Sequence, residues 1–303
     1  MPTFDQFVSA GEDNNVPVIY WDLIDVCQYR CSYCYNMKLI KQEEYKQGLH
    51  QEAWKLALTK LQRITFDFNL AIHGGEPTLH PELATIIDSL EELPHCKSIV
   101  LSTNVTAPDE LYKQFDRKNS KLSIHMSYHP EYHRKIFDKI VRIANSIEHI
   151  NIWVEAILFP RVEYYSQMIE FLENIKQSNI TYYVSAANNT LDYNHTADAK
   201  FKEIFDPYIR QSKSSQFKHV TAAGDTVMVP EHQITGEQFS YKGWRCQALS
   251  YTIGVDGTII NNCTKQRLPI IIKETDVKKF VTCPQADTCY CSEMFNYKKY
   301  KND

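Results

Sequence analysis

The sequence predicts an α/β fold of parallel βαβ units, with a small cysteine-rich β-hairpin extension near its C-terminus. Six short apolar segments of strand character alternate with segments of helical periodicity, and this alternation predicts the α/β core. An Asp-Gly turn between the apolar runs of 251–260 predicts the hairpin. The chain has 303 residues, of which 43% are hydrophobic, so it is long enough to bury a large core.

The core elements follow one another along the first 185 residues. The predicted strands are 18–24, 70–72, 98–101, 121–127, 150–158 and 180–184. The predicted helices between them are 51–64, 81–90, 108–115, 134–147 and 164–175. In the first helix Trp54, Ala57 and Leu61 recur at helical spacing, which indicates one buried face. In the second helix Pro81 lies near the first turn, where proline is tolerated.

The remaining segments carry weaker signals. Residues 1–15 are polar and are predicted to be irregular, whereas 196–210 is predicted to be a surface helix. The stretch 220–229 places Ala-Ala-Gly-Asp between apolar runs and is predicted to be a second hairpin. Cys96 stands alone after a helix, and we expect it in the core because free cysteine is often buried.

Charge and composition exclude several classes of partner. The chain has 33 basic and 37 acidic residues, a net charge of −4, which gives no electrostatic drive toward nucleic acid. No run of eighteen apolar residues is present, so no membrane span is expected. The sequence shows no leader and its cysteines are expected to be reduced, which together predict a cytoplasmic protein.

The most informative pattern is the first cysteine group, which consists of Cys27, Cys31 and Cys34 in a C-x3-C-x2-C spacing. Three thiolates can hold three irons of a [4Fe–4S] cube, and the missing fourth local ligand leaves one iron open to bind and activate a ligand. A structural zinc site is the alternative, but no histidine follows within ten residues of Cys34. A disulfide framework is disfavoured because nine cysteines occur in a long chain.

At these residues the chain resembles the radical S-adenosylmethionine (SAM) superfamily, whose motif is C-x3-C-x-aromatic-C. Tyr33 fills the aromatic position, and Gly74, Gly75 and Glu76 resemble the family's GGE motif, which contacts the amino group of SAM. The resemblance implies a partial (β/α)6 TIM-like barrel over 16–185, with its site at the carboxyl ends of the strands.

The resemblance also implies weaker SAM-contacting positions at strand ends. Ser102 and Asn104 follow the third predicted strand, where the family often places ribose and carboxylate contacts. His125 and Ser127 end the next strand, and Glu155 lies within the one after. Two histidines, His129 and His133, follow a strand end and either face a substrate or are exposed.

The activity implied by the resemblance is radical chemistry. In the family, methionine's amino and carboxylate groups chelate the open iron, and one electron cleaves SAM to a 5′-deoxyadenosyl radical that removes a hydrogen atom from substrate. A reducing partner such as flavodoxin or ferredoxin is therefore expected.

The second cysteine group resembles the twitch or SPASM extension of radical SAM enzymes, which binds auxiliary [4Fe–4S] clusters. Its five members are Cys246, Cys263, Cys283, Cys289 and Cys291. A full SPASM region has more cysteines, so we expect one auxiliary cluster, held by Cys246, Cys263 and two of the other three. The fifth would be spare or a thiol hydrogen donor. A zinc knot that staples the C-terminus is the alternative.

The predicted organisation is a radical SAM partial barrel at 16–185, a connecting segment at 186–240 and an auxiliary-cluster region at 241–303. The first core strand begins near residue 18, so no N-terminal leader-binding domain is expected. The expected reaction is hydrogen abstraction from a peptide side chain or a sugar-like substrate, for oxidation or cross-linking. The alternatives are a redox-neutral epimerase or isomerase with a cysteine hydrogen donor, and a non-catalytic zinc protein.

Overall fold

The computed structural model describes most of the chain. The described residues are 4–8, 16–34, 52–132, 136–187, 199–211, 216–221, 224–230, 243–247, 249–268, 280–283 and 299–300. Among these residues no helix is long and apolar enough to cross a membrane.

The core is one eight-stranded sheet in which six consecutive strands are parallel. These strands are β2 (Val18–Ile24), β3 (Phe68–Gly74), β4 (Cys96–Thr103), β5 (Leu122–Tyr128), β6 (Asn151–Leu158) and β7 (Thr181–Ala186). They pair side by side in chain order, each with the next in parallel. All six strands predicted from the sequence are therefore confirmed, in the parallel arrangement of a partial barrel.

Helices connect these strands, as the alternating pattern predicted. They are α1 (Ala53–Leu61), α2 (Leu83–Glu91), α3 (Asp109–Lys113), α4 (Ile136–Asn145) and α5 (Tyr165–Gln177). Each of these helices has buried apolar or aromatic side chains, and in α1 Trp54, Ala57 and Leu61 are buried as predicted. Cys96 begins β4 and is 1% exposed, which confirms its assignment to the core.

The C-terminal hairpin is present and extends the same sheet. Its strands are β11 (Ser250–Ile253) and β12 (Ile259–Asn261), which pair antiparallel. Gly257 in the turn has φ +73°, a conformation that favours glycine. Strand β11 pairs in parallel with β2, and Lys60 Nζ donates to the Gly257 carbonyl at 2.6 Å. The hairpin thus lies beside β2, the strand that leads into the first cysteine group.

A second, six-stranded sheet corrects one expectation. Its strands are β1 (Phe4–Val8), β8 (Gln216–Thr221), β9 (Thr226–Pro230), β10 (Arg245–Gln247), β13 (Phe280–Thr282) and β14 (Lys299–Tyr300). The expectation that residues 1–15 are irregular is wrong at β1, which pairs antiparallel with β8 and β14. Its partners lie more than two hundred residues away, so local sequence carries no sign of them.

The two weaker predictions between 186 and 240 are confirmed. Strands β8 and β9 form the predicted hairpin. Helix α6 (Ala199–Gln211) is present, with Phe201 and Phe205 fully buried on one face. The ring of Phe205 lies 5.2 Å from that of Tyr165, so α6 packs on α5.

Candidate functional site

The first cysteine group lies on the loop that leaves the carboxyl end of β2. This loop is hydrogen-bonded through its backbone to the turn that leaves β3. The Gly75 amide donates to the Ile24 carbonyl at 2.6 Å, and the Glu76 amide donates to the Val26 carbonyl at 2.7 Å. The parallel ladder of β2 and β3 thus continues up to the residue before Cys27, and it fixes the cysteine loop against the Gly-Gly-Glu turn.

The two glycines of this turn are required by the approach of the two backbones. A Cβ at Gly75 would overlap the carbonyl of Val26, and a Cβ at Gly74 would overlap the carbonyl of Ile24. Gly74 also has φ +132°, which L side chains rarely adopt. The backbone that comes this close to the turn is that of the cysteine loop.

Backbone and side-chain donors point at the sulfur of Cys27. The Tyr29 backbone amide lies 3.3 Å from Cys27 Sγ, and the side-chain Nδ2 of Asn104 lies 3.7 Å from it. Burial raises the pKa of the Cys27 thiol, and the nearby Cys34 raises it further. Burial likewise raises the pKa of Cys31 to about 12, with contributions from Cys34 and Cys27. The three sulfurs are therefore close enough to interact electrostatically.

The loop after β5 also holds the cysteine loop in place, through hydrogen bonds and a ring contact. Glu131 accepts hydrogen bonds from the amide and the hydroxyl of Ser32, both at 2.7 Å. The Tyr132 hydroxyl accepts from the Arg30 amide at 2.8 Å, and its ring stacks on Tyr29 at 4.2 Å. No local sequence pattern marks Glu131 or Tyr132, because these contacts join residues about one hundred positions apart.

Tyr33 and His129 lie together beside Cys31. Tyr33 is 7% exposed, and its hydroxyl lies 3.1 Å from His129 Nδ1. Cys31 Sγ lies 3.7 Å from the same nitrogen. His129 is half-buried, so an exposed loop histidine does not describe it, and burial lowers its pKa to about 4. His133 lies outside the described residues.

The Glu76 carboxylate joins the ends of β3 and β4. The side chain is 1% exposed, and both of its carboxylate oxygens accept hydrogen bonds from the protein. Its Oε1 accepts from the amide and hydroxyl of Thr78 and from the Thr103 hydroxyl, while Oε2 accepts from the Asn104 amide at 2.7 Å. Burial raises the pKa of Glu76, and these hydrogen bonds oppose that shift. The side chain is therefore a structural bridge between two loops of the site.

We expect Glu76→Gln to destabilise the protein by about 1–3 kcal/mol, because one carboxylate oxygen becomes an amide donor that faces another donor. Either orientation of the amide leaves Thr78 and Thr103, or Asn104, without an acceptor. Urea unfolding measures the change. Glu82→Gln is the matched control, since Glu82 accepts one bond, from Trp54, that a glutamine oxygen can also accept. Equal stability of the two variants would contradict the bridging role.

The end of β4 is held in an unusual conformation. Val105 is fully buried and has φ +63°, which a β-branched residue rarely adopts. Its amide donates to the Thr103 hydroxyl at 3.1 Å, and the Asn104 carboxamide oxygen accepts from the Thr106 hydroxyl at 2.6 Å. Backbone strain of this kind clusters at functional sites, and here it accompanies the turn that carries the side-chain amide of Asn104 toward Cys27.

Further polar side chains meet on strands β4 to β7. His125 Nε2 lies 2.7 Å from the Tyr183 hydroxyl and 3.4 Å from Glu155, while its Nδ1 lies 3.3 Å from the Ser102 hydroxyl. The Ser185 hydroxyl donates to Glu155. Burial would raise the pKa of Glu155, but His125 and Ser185 hold it below its usual range. The predicted positions Ser102, His125 and Glu155 are thus brought together.

Ser127 belongs to the same region, directly opposite Glu155 in the register of β5 and β6. Nearby on β3, burial lowers the pKa of His73 to about 4, with His125 and Glu155 close enough to affect it.

The second cysteine group is described in part. Cys246 on β10, Cys263 after β12 and Cys283 after β13 are all buried. The Cys283 amide donates to the Trp244 carbonyl at 2.8 Å, which places Cys283 beside β10. The Cys263 amide donates to the Asn261 side chain at 3.0 Å. Cys289 and Cys291 lie outside the described residues. Tyr251 on β11 is 3% exposed and belongs to the core.

The first cysteine group fits an iron–sulfur cluster in its donor chemistry. It presents three thiol sulfurs on one short loop, with N–H donors at Cys27 of the kind that cluster thiolates accept. Over the described part of the chain, no three His, Cys, Asp or Glu side chains are grouped to hold a single metal ion. A cube allows its cysteines to lie farther apart than the ligands of a single ion, because the three thiolates bind three different irons of one cluster.

Comparison with known proteins identifies the family. The family model of the radical SAM superfamily matches residues 21–186. Curated relatives include the GTP 3′,8-cyclases of Nostoc punctiforme, 30% identical over 92 residues, and Trichodesmium erythraeum, 32% identical over 92 residues. Each match covers 30% of this chain and 28% of the relative, so less than a third of the relatives' length is spanned.

A solved structure shows the same fold. Polyhistidine-tagged anSMEcpe with bound AdoMet superposes with a TM-score of 0.52 at 14% identity, over 88% of this chain and 80% of that chain. At this identity the likeness concerns the fold alone.

Fold and site together define a parallel α/β enzyme with a cysteine loop at the carboxyl ends of its strands. The family model matches more than half of the chain, and the protein belongs to the radical SAM superfamily. Membership implies a [4Fe–4S] cluster and SAM as cofactors.

Proposed function

We propose that this radical SAM enzyme removes a hydrogen atom from a peptide side chain or a sugar-like substrate. The observation that carries the proposal is the docking of the cysteine loop on the Gly-Gly-Glu turn, through backbone hydrogen bonds at Gly75 and Glu76. Cys27, Cys31 and Cys34 would hold the cluster. When bound, the cluster and SAM supply a 5′-deoxyadenosyl radical by one-electron cleavage of SAM.

The protein's own residues would bind and orient SAM. Because the Glu76 side chain is occupied by Thr78, Thr103 and Asn104, the turn would meet the SAM amino group chiefly through its backbone. Ser102, Asn104 and Ser127 would bind the ribose and carboxylate. Tyr33, beside Cys31, would support the cysteine loop. The surrounding sheet would exclude water and hold the substrate carbon in near-attack range.

The C-terminal cysteines would hold one auxiliary cluster of the twitch or SPASM type. Cys246 and Cys263 would supply two ligands, and two of Cys283, Cys289 and Cys291 the others. Such a cluster would accept an electron from the substrate radical and make the overall reaction an oxidation or cross-linking. A flavodoxin or ferredoxin would supply the electron for SAM cleavage.

The names of the curated relatives bear on the substrate, and the number of C-terminal cysteines bears on the type of reaction. Curated relatives are named for a reaction of GTP, which contains a sugar, and this favours the sugar-like candidate. The match covers 28% of the relative, so a peptide side chain remains the other candidate. One cluster uses four of five cysteines, and the fifth would be free to return a hydrogen atom in a redox-neutral epimerase or isomerase, which is the second candidate function.

Anaerobic reconstitution with iron and sulfide, followed by dithionite and SAM, tests the proposal. We expect about eight irons per chain, four for each of two cubes, together with 5′-deoxyadenosine. About four irons with 5′-deoxyadenosine would retain the catalytic cluster and contradict the auxiliary one. Bound zinc without 5′-deoxyadenosine would overturn the proposed function. With substrate, the mass of the product separates the two candidates, because oxidation removes two hydrogens from the substrate whereas epimerisation or isomerisation leaves its mass unchanged.

A further inference from the structure

One sulfur of the cysteine loop has two polar side chains beside it that come from different parts of the fold. His129 Nδ1 lies 3.7 Å from Cys31 Sγ and 3.1 Å from the Tyr33 hydroxyl. The Tyr33 hydroxyl also forms a hydrogen bond with Cys31. The Tyr33 and His129 rings lie nearly parallel, with an interplanar angle of 13°. The three groups therefore form one compact hydrogen-bonded set.

The chemistry of a ligand sulfur fixes the direction of these hydrogen bonds. A cysteine thiolate that binds iron has no proton, so it can only accept. The Tyr33 hydroxyl would then donate to Cys31, and His129 would carry its proton on Nδ1 and donate to Tyr33 and Cys31. This proton position follows from the network of acceptors around the ring.

We propose that His129, together with Tyr33, is a donor pair that raises the reduction potential of the cluster through the sulfur of Cys31. The inference rests on the proposed function, since it needs the cluster at Cys27, Cys31 and Cys34. His129 is a positioning residue, because it acts on the cluster through another side chain.

The physical basis is the charge that the cluster gains on reduction. Hydrogen bonds to cluster sulfurs stabilise the more negative, reduced state, and their effect is strong where water is excluded. Tyr33 and Cys31 are both buried, at 7% and 6% exposure. Loss of the His129 donor therefore makes the cluster harder to reduce.

The fold holds His129 in place for this role. His129 follows β5 directly, and the next residues clamp the cysteine loop through Glu131 to Ser32 and through Tyr132 to Arg30. Phe159 packs on the Tyr33 ring at 4.7 Å. These contacts fix the distance between the imidazole and the sulfur, which is the geometry that a tuning hydrogen bond requires.

An anaerobic redox titration followed by EPR tests the inference. The variants are His129→Leu, which removes the donor, and His129→Asn, whose amide nitrogen lies at the position of Nδ1. His95→Leu is the control, because His95 lies at the amino end of β4 beside Asp67. We expect His129→Leu to lower the reduced-to-oxidised ratio at fixed potential about tenfold, which is a shift of about 59 mV for a one-electron couple. The reduction potential of His129→Asn should return most of the way to the wild-type value.

Each outcome decides the question. An unchanged potential in His129→Leu, with iron content equal to wild type, would overturn the inference. A potential in His129→Asn as low as in His129→Leu would also overturn it, because ring packing would then be the cause. If His129→Leu holds no cluster, Tyr33→Phe decides: a lowered potential supports the donor pair and an unchanged one contradicts it. A wild-type chain without a cluster would instead overturn the proposed function.

Discussion

Replacement of Cys27 by alanine is expected to abolish the reductive cleavage of SAM. Cys27 begins the cysteine loop, and its sulfur receives the Tyr29 amide and the Asn104 side chain. Loss of even a supporting group around a metal ligand costs up to about 100-fold in affinity or activity, and loss of a ligand should exceed that. The measurement is 5′-deoxyadenosine formed per chain after anaerobic reconstitution, with dithionite and SAM.

Cys96→Ala is the matched control for this experiment. Cys96 is 1% exposed in the core, but it lies at the start of β4, at the opposite end of the strands from Cys27. We expect it to cost roughly 1 kcal/mol of stability and to leave 5′-deoxyadenosine formation at the wild-type level. Retained SAM cleavage in Cys27→Ala would contradict the assignment of the first cysteine group.

Replacement of Gly75 by alanine is expected to displace the cysteine loop from the Gly-Gly-Glu turn. The added methyl would overlap the carbonyl of Val26 and the backbone nitrogen of Cys27, and because these neighbours are backbone atoms no flexible side chain can move to make room. Overpacking of this kind costs about 1–3 kcal/mol, and here the strain falls on the residue that precedes Cys27. We expect iron content after reconstitution to fall together with the unfolding midpoint.

Gly254→Ala is the matched control, because it places the same methyl in the turn of the C-terminal hairpin. Its nearest neighbour would be the Asp256 side-chain oxygen at 3.1 Å, which can rotate away. We expect wild-type iron content at the first site and a change in stability under about 1 kcal/mol. Full iron content in Gly75→Ala would show that the close backbone approach does not position the cysteines.

The strands and helices of the core could be predicted from the sequence because each depends on a local pattern. Apolar runs such as 98–101 are bounded by polar residues, and the Trp54 to Leu61 spacing is that of a helix with one buried face. Strand β1 could not be predicted, since its hydrogen bonds go to β8 and β14 at the far end of the chain. The Asp-Gly turn predicts the hairpin but not its parallel pairing with β2.

The candidate site could be predicted only where a motif marks it. The C-x3-C-x2-C spacing and the Gly-Gly-Glu turn identify residues whose chemistry is local. The clamp of Glu131 on Ser32 and the contact of His129 with Cys31 depend on how the folded sheet arranges the ends of β2 and β5, which no local pattern defines. The same holds for Glu76, whose bonds to Thr103 and Asn104 make it a bridge between neighbouring strand ends.

The central claim is that Cys27, Cys31 and Cys34 hold a cluster with one iron open to SAM. The EPR spectrum of the dithionite-reduced protein, recorded before and after the addition of SAM, tests this claim most directly. We predict a [4Fe–4S]⁺ signal in the wild type that changes in shape and g values when SAM is added, and whose SAM-dependent part is missing in Cys27→Ala. A cluster signal that SAM leaves unchanged would contradict the account.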